Sequence, residues 1–312
     1  MISDIPKNII LELDSLAELS RELDFSKVYL VGGVVRDHFL GLKISEDSDL
    51  DITINDGFKS TLLGLSFAYK NNYNMKYINS QDIKVFFNGS SFDFSTGNVS
   101  ESIKNLDKSK MYKETLSRDF TINSLLYDIE DRRFVDVSGK GIKDCINKVI
   151  RTNLSPEEAF SEDKGRIIRA IYFASKYNLE ISKDIIDYVR KNYNDIKIMI
   201  NKKRNFIISK INEAIMFDSD KTLDILQEMR ILKDIPLVGN FKNILIKNKL
   251  ISDYYSEDMV NEAFDPIGGF VGNEYPSIFY GNSQQSVPPY GDNSVQDDNH
   301  VRVYDRQLPH LT

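Results

Sequence analysis

The sequence predicts an α+β fold: a small mixed-sheet head, then an α-helical body, then a disordered C-terminal tail. Three observations carry that expectation. Residues 1–140 switch repeatedly between helical and strand-like periodicity. From about residue 143 the apolar spacing becomes helical and stays so. From residue 266 the apolar period disappears. The corresponding boundaries are 1–140, 141–265 and 266–312.

The elements follow in order. ILELDSLAELSREL (10–23) has helical spacing, and KVYLV (27–31) is a short apolar strand running into Gly32-Gly33. VVRDHFLG (34–41) reads as a helix closed by Gly41. DLDITI (49–54) alternates with period two, so Asp49, Asp51 and Thr53 share one face while Leu50, Ile52 and Ile54 point to the core. KSTLLGLSFAYKNN (59–72) is helical, and MKYI (75–78), IKVFF (83–87) and SFDFS (91–95) are strands. EDKGRIIRAIYFASKY (162–177) reads as one helix, with further helices at 182–193, 202–216, 219–230 and 239–248. Ser155 and Pro156 open a short acidic stretch before the first of them.

Composition narrows the function. One cysteine (Cys145) excludes a disulfide framework or a cysteine-rich zinc module. Three histidines leave little for a histidine-based metal site, and none is followed by Asp, which disfavours a His-Asp phosphohydrolase. No run of about 18 apolar residues predicts a membrane span, and MISDIPKNII lacks the pattern of a secretory signal. A cytoplasmic protein is expected. The net charge of -7 is uneven: residues 250–312 hold ten Asp/Glu against two arginines, or -8, which leaves +1 on the rest. A nearly neutral body can carry a local basic face for RNA. Five of eight prolines also fall in 266–312, where so little apolar surface cannot offset the entropy of ordering. Tyr275, Phe279, Tyr280 and Tyr290 are the residues there that could dock.

The chemistry centres on Asp49 and Asp51. Two carboxylates at i and i+2 of a strand project together, and like charges that close favour a bound cation. Hard oxygen ligands suit Mg²⁺, which also bridges substrate phosphates. Gly32-Gly33, between a strand and a helix, lets backbone N–H groups approach phosphate, and Arg36 follows in the first helical turn. Asp93, in SFDFS, is a candidate third carboxylate, as general base or metal ligand. Asp163 and Arg166, read as i and i+3 on one helix, offer acceptors and donors that suit either a base edge or an ordinary salt bridge. Lys202-Lys203-Arg204 and Lys242, Lys247 and Lys249 could meet RNA phosphates or simply be solvated, and Tyr69, Tyr73 and Tyr77 read as packing residues.

VGGVVRDHFLG (31–41), followed after seven residues by DLDI (49–52), resembles the head signature of the class II tRNA nucleotidyltransferase/bacterial poly(A) polymerase family, within the polymerase β-like nucleotidyltransferase superfamily. SRDFTINSLLYD (117–128), FVDVSGKGIKDCINKVIRT (134–152) and EDKGRIIRAIYFASKYNLEI (162–181) resemble later family segments in the same order. NKKRNFIISKINEAI (201–215) is similar to the next family helix. The resemblance implies a nucleotidyltransferase head and a helical neck and body. It implies that Asp49 and Asp51 hold catalytic magnesium, that Gly32, Gly33, Arg36, Arg118 and Arg169 serve the triphosphate, and that Asp119 meets the ribose. Asp163 and Arg166 would read the base, selecting CTP and ATP without a nucleic-acid template. The implied partner is an RNA 3′ end, foremost a tRNA receiving CCA. An A-adding enzyme, a poly(A) polymerase and a catalytically weak RNA-binding relative share these motifs.

The sequence departs from the family pattern in four places. Ser117 stands where the family has the first arginine of Arg-Arg-Asp, and the stretch from Gly41 to Asp49 is a few residues longer. Lys164-Gly165 replaces an apolar pair, with a glycine costing about 1 kcal/mol if it lies inside a helix. The recognisable helices stop near 265, which implies reduced RNA binding or an acceptor other than a full tRNA.

Overall fold

The computed structural model describes residues 5–25, 27–54, 57–79, 82–95, 99–236 and 239–247. The tail expected at 266–312, with its four aromatic residues, lies outside them, as does Lys249.

In the head, α1 (Lys7–Glu22) leads into β1 (Val28–Val31) and α2 (Gly33–Phe39). Then come β2 (Asp49–Ile54), α3 (Gly57–Asn71), β3 (Asn74–Tyr77), β4 (Ile83–Phe87) and β5 (Ser90–Phe94). They are followed by α4 (Lys110–Ser117), a 3₁₀ turn (Thr121–Asn123), β6 (Leu125–Asp128) and β7 (Arg133–Asp136). The seven strands form one mixed sheet in the order β3-β4-β5-β2-β1-β6-β7. Only β2 and β5 pair parallel among these neighbours, and their register sets Asp51 beside Asp93 and Asp49 beside Ser91.

Period-two alternation gives β2 its two faces. Leu50, Ile52 and Ile54 are fully buried under α3, together with Leu63, Phe67, Phe92 and Phe94. Burying each such side chain stabilises the fold by about 1.5–3 kcal/mol. At Gly64 an added Cβ would lie 2.7 Å from the Phe94 ring, so α3 needs glycine there to approach the sheet. The opposite face carries Asp49 and Asp51, then a small apolar patch of Tyr29, Val31 and Leu126 on which Met111 of α4 rests. Asp49 is exposed on that face, and Asp51 is partly buried.

The chain continues through α5 (Gly141–Ile146), β8 (Val149–Ile150), α6 (Pro156–Glu162), α7 (Arg166–Tyr177) and β9 (Glu180–Ile181). The body is completed by α8 (Lys183–Lys191), α9 (Tyr193–Lys202), α10 (Arg204–Phe217), α11 (Ser219–Glu228), a 3₁₀ turn (Leu232–Asp234) and α12 (Gly239–Lys247). β8 and β9 make a parallel two-stranded ribbon that brackets α6 and α7. Ser155 starts α6 with a reciprocal capping box to Glu158, worth about 1 kcal/mol. α7 buries Ile167, Ile168, Ile171 and Ala174 against α10 and α11.

Four differences from the sequence reading stand out. The single helix expected over 162–177 is two helices, α6 ending at Glu162 and α7 beginning at Arg166. Asp163 between them is extended (φ -146°, ψ 97°), so Asp163 and Arg166 do not share a helix and Gly165 carries no helix-interior cost. The β6–β7 hairpin, α4 and α9 were not anticipated. Leu125–Asp128 is buried on both faces and so shows no alternation. Tyr69 (91% exposed) and Tyr77 (56%) are surface residues rather than packing residues, whereas Tyr73 donates to Glu12 Oε1 at 2.5 Å. Among the described residues, no helix is long and apolar enough to cross a membrane.

Candidate active site

The site begins where β1 turns into α2. Gly32 adopts φ +77°, a conformation that disfavours residues with a Cβ. A Cβ built there would lie 2.4 Å from Asp51 Oδ2 and 3.5 Å from Arg118 Nη1. The glycine turn, an aspartate of β2 and the arginine after α4 thus converge on one point.

Beside it runs a row of carboxylates. Asp49 Oδ1 accepts a 2.5 Å hydrogen bond from Ser91 Oγ, and Asp49 Oδ2 lies 3.2 Å from Lys84 Nζ. The same ammonium lies 3.2 Å from Asp93 Oδ2. Lys84 sits across from Asp93 in the β4–β5 register, as Asp51 does in β2–β5. Burial works to raise the Asp49 carboxyl, but hydrogen bonds from Ser91 and Lys84 outweigh it and hold the group below its usual range. Burial pushes Asp51 up, against the Arg118 charge and with that of Asp49. Burial likewise raises Asp93, with Lys84 opposing. Asp93 Oδ1 is buried and has no hydrogen-bond partner among the described residues.

These groups fit a divalent cation. Magnesium is held by one or two carboxylates together with waters and substrate phosphates, rather than by a closed protein cage. Among the described residues, no three His, Cys, Asp or Glu side chains are grouped so as to hold a metal ion by themselves. Two adjacent carboxylates and the orphaned Asp93 oxygen supply hard donors of the required kind.

Next to this row opens a cavity of about 350 Å³, lined in part by Glu114, Ser117, Arg118, Asp119, Arg166 and Arg169. Its polar walls are tied together. Asp119 Oδ1 accepts from Asn123 Nδ2 at 2.9 Å, and Oδ2 accepts from Arg169 Nε at 3.1 Å. Arg169 Nη1 donates to Asp163 Oδ2 at 3.1 Å. Asp163 Oδ1 accepts from Lys203 Nζ and from the Gly165 amide, both at 2.8 Å. Burial opposes ionisation of Asp163, but Lys203, the Gly165 N–H and Arg169 prevail and lower its carboxyl to about 2. Arg166 Nη2 donates to the Ser117 carbonyl at 2.9 Å, while its Nε and Nη1 are buried without a hydrogen-bond partner among the described residues.

The sequence-predicted residues thus divide. Gly32, Asp49, Asp51, Asp93 and Arg118 come together on the sheet, with Gly33 beginning α2 beside them. Asp119, Arg166 and Arg169 line the adjoining cavity. Asp163 is joined to them through Arg169 but lines a different hollow, with Lys202 and Lys203. Arg36 is only 6% exposed. Its guanidinium bonds Asp37 (2.8 Å), Asn123 (2.9 Å) and the Tyr177 hydroxyl (2.6 Å), with its Cζ 4.5 Å from the Tyr177 ring centroid. That places Arg36 between α2 of the head and α7 of the body.

Lys203, read from sequence as a possible RNA contact, is the partner of Asp163. Ser117 ends α4, accepting from the Ser100 amide at 2.6 Å and donating to the Lys113 carbonyl at 2.7 Å. Sequence reasoning missed Lys84, Ser91 and Glu114. Ser91 was findable, because strand alternation puts it on the Asp93 face, whereas Lys84 is placed opposite only by the β4–β5 register. Glu114 is buried in the cavity wall, and burial raises its carboxyl against Lys110.

Comparison with known proteins finds similar sequences and a similar fold. The family model described as the poly A polymerase head domain matches residues 28–151. The tRNA nucleotidyltransferase cca2 of Schizosaccharomyces pombe is 28% identical over 222 residues, covering 61% of this chain and 44% of that protein. Poly(A) polymerase I of Salmonella typhimurium is 31% identical over 193 residues, covering 58% of this chain and 40% of that protein. The chain therefore spans less than half the length of these relatives. Among solved structures, a CCA-adding enzyme in complex with ATP superposes with a TM-score of 0.65 over 84% of this chain and 66% of its own, at 19% identity, a likeness of fold.

Proposed function

We propose, for a chain whose residues 28–151 match the poly A polymerase head-domain model, an RNA nucleotidyltransferase that adds CMP and AMP from CTP and ATP to an RNA 3′ end. The preferred acceptor is a tRNA receiving CCA, in the cytoplasm. The observation that carries this reading is the convergence of Asp51, the Gly32 turn and Arg118 beside Asp49. Phosphoryl chemistry demands that combination: carboxylates for a cation, an open backbone turn for phosphate, and a fixed positive charge.

In the proposed reaction the acceptor 3′-oxygen attacks the α-phosphorus. The bond from that phosphorus to the oxygen leading to the β-phosphorus breaks, pyrophosphate departs, and the hydroxyl proton is lost to solvent. Asp49 and Asp51 would hold Mg²⁺, which when bound offsets phosphate charge and acidifies the attacking hydroxyl. Gly32 leaves room for the triphosphate, and Arg118 supplies positive charge on the same side. Asp119, oriented by Asn123 and Arg169, would accept a ribose hydroxyl. Arg166, which lines the cavity and has two buried donors without a hydrogen-bond partner among the described residues, would read the edge of a base.

Purified protein, magnesium and tRNA transcripts ending before CCA, at C and at CC test the reading. Labelled CTP and ATP are supplied separately and together, and products are resolved to one nucleotide. Ordered addition of C, C and A that then stops is expected. Addition of A only after CC means an A-adding enzyme, and long A tracts mean a poly(A) polymerase. The Asp49→Ala/Asp51→Ala variant should lose incorporation by about a thousandfold or more. Retained incorporation contradicts the assignment, and RNA binding without incorporation by the unmodified protein indicates a non-catalytic relative.

A further inference from the structure

We propose that Lys84 is a built-in counter-cation of the carboxylate face, so that a divalent cation binds there weakly alone and strongly only together with a nucleoside triphosphate. The inference rests on the reading of that face as the cation and nucleotide site. It adds a positioning role for a residue outside the sequence motifs.

The geometry is one of direct competition. Three strands present one face in register: Asp49 and Asp51 on β2, Ser91 and Asp93 on β5, Lys84 on β4. Both oxygens of Asp49 are engaged, Oδ1 by the Ser91 hydroxyl at 2.5 Å and Oδ2 by the Lys84 ammonium at 3.2 Å. Each oxygen of Asp49 already has one partner, so an ion binding at Oδ2 shares it with Lys84 or displaces the ammonium. Lys84 spans to Asp93 as well, at 3.2 Å, so one ammonium offsets two of the three carboxylates. Asp51 has neither a hydrogen bond nor an ion pair among the described residues. It is therefore the carboxylate that no ammonium engages.

The side chain of Lys84 is 21% exposed. A four-carbon stem with a mobile point charge can make that exchange. A triphosphate arriving beside Gly32 brings its own negative charge and offers Lys84 another partner. The ammonium can then leave Asp49 without being left unpaired, and Asp49 becomes available to the cation. Close opposite charges across neighbouring strands also steady a sheet, so Lys84 serves the fold while the site is empty. On this account Asp93 is held by Lys84 as a positioning group, which removes it from the role of free general base.

The test titrates Mn²⁺, a magnesium substitute visible by electron paramagnetic resonance, against the full chain with and without CTP. Binding at this face is counted as the part abolished by Asp51→Asn. Without CTP, Lys84→Met should bind Mn²⁺ about tenfold tighter than the unmodified protein, within the range that groups bonded to metal ligands exert. Lys84→Arg, which keeps the charge, should retain the weak binding and guards against a folding defect in the methionine variant. With CTP the three proteins should converge to within about threefold. Equal Mn²⁺ affinity of Lys84→Met and the unmodified protein without CTP, both folded by circular dichroism, overturns the counter-cation role and leaves the site reading standing. No Asp51-dependent Mn²⁺ binding in any protein, even with CTP, overturns the site reading and this proposal with it.

Discussion

Gly32 bears the tightest steric demand in the site. Its φ of +77° and the 2.4 Å gap from a built Cβ to Asp51 Oδ2 act together. Gly32→Ala must therefore pay about 1–2 kcal/mol for the backbone and displace a carboxylate. The variant should unfold at lower urea and lose incorporation by at least about a hundredfold, because an ångström of misplacement has that effect on in-line geometry. Circular dichroism during a urea titration and single-turnover incorporation measure the two effects, and near-normal turnover would mean that the turn does not border the reacting phosphate. Residue type made Gly32, Asp49 and Asp51 legible, since few other residues do what they do at those positions. Lys84 was not legible in the same way, because a lysine in a strand is ordinary until its neighbours across the sheet are known.

At the scale of elements, the corner between α6 and α7 shows how local sequence misleads. Apolar spacing over 162–177 is nearly continuous, so one helix was the natural reading. Asp163 breaks it because its carboxylate is worth more to Lys203, the Gly165 amide and Arg169 than a further helical residue would be. These partners lower the carboxyl to about 2, below the unfolded value near 3.9. The unfolded chain then takes up the proton at higher pH, so the contribution is complete above about pH 4 and is lost as pH falls toward 2. Asp163→Asn should be less stable than the unmodified protein at pH 6, with the gap closing between about pH 4 and pH 2. Urea midpoints at a series of pH values read this directly, and a gap independent of pH would remove the charge from the explanation.

Across the whole molecule, Arg36 joins what the sequence divides. It rises from α2 of the head to bond Asn123 after α4 and Tyr177 at the end of α7. From Asn123 the hydrogen bonds continue through Asp119, Arg169 and Asp163 to Lys203 on the body. One polar chain thus links the head to the walls of the candidate nucleotide cavity. Arg36→Met should destabilise the protein by about 2–4 kcal/mol, since it strands several buried polar partners. Tyr177→Phe, which removes one hydroxyl, should cost about 1 kcal/mol. Equilibrium urea unfolding of both variants distinguishes a brace from a passive contact, and a loss under about 0.5 kcal/mol for Arg36→Met would refute the brace.

Periodicity and residue chemistry by themselves determined the α+β class, the strand DLDITI with its acidic and apolar faces, the glycine turn before it and the helical body after it. Those features depend on neighbours a few residues apart, and short-range spacing records them. Tertiary structure alone decided that Lys84 lies between Asp49 and Asp93, that Arg36 is buried against Tyr177, and that Asp163 leaves its helix for Lys203. Each of those outcomes turns on which charge meets which across a long stretch of chain. Coulomb attraction and desolvation act through space, so their balance is settled only when the sheet register and the packing of α7 on α10 are in place.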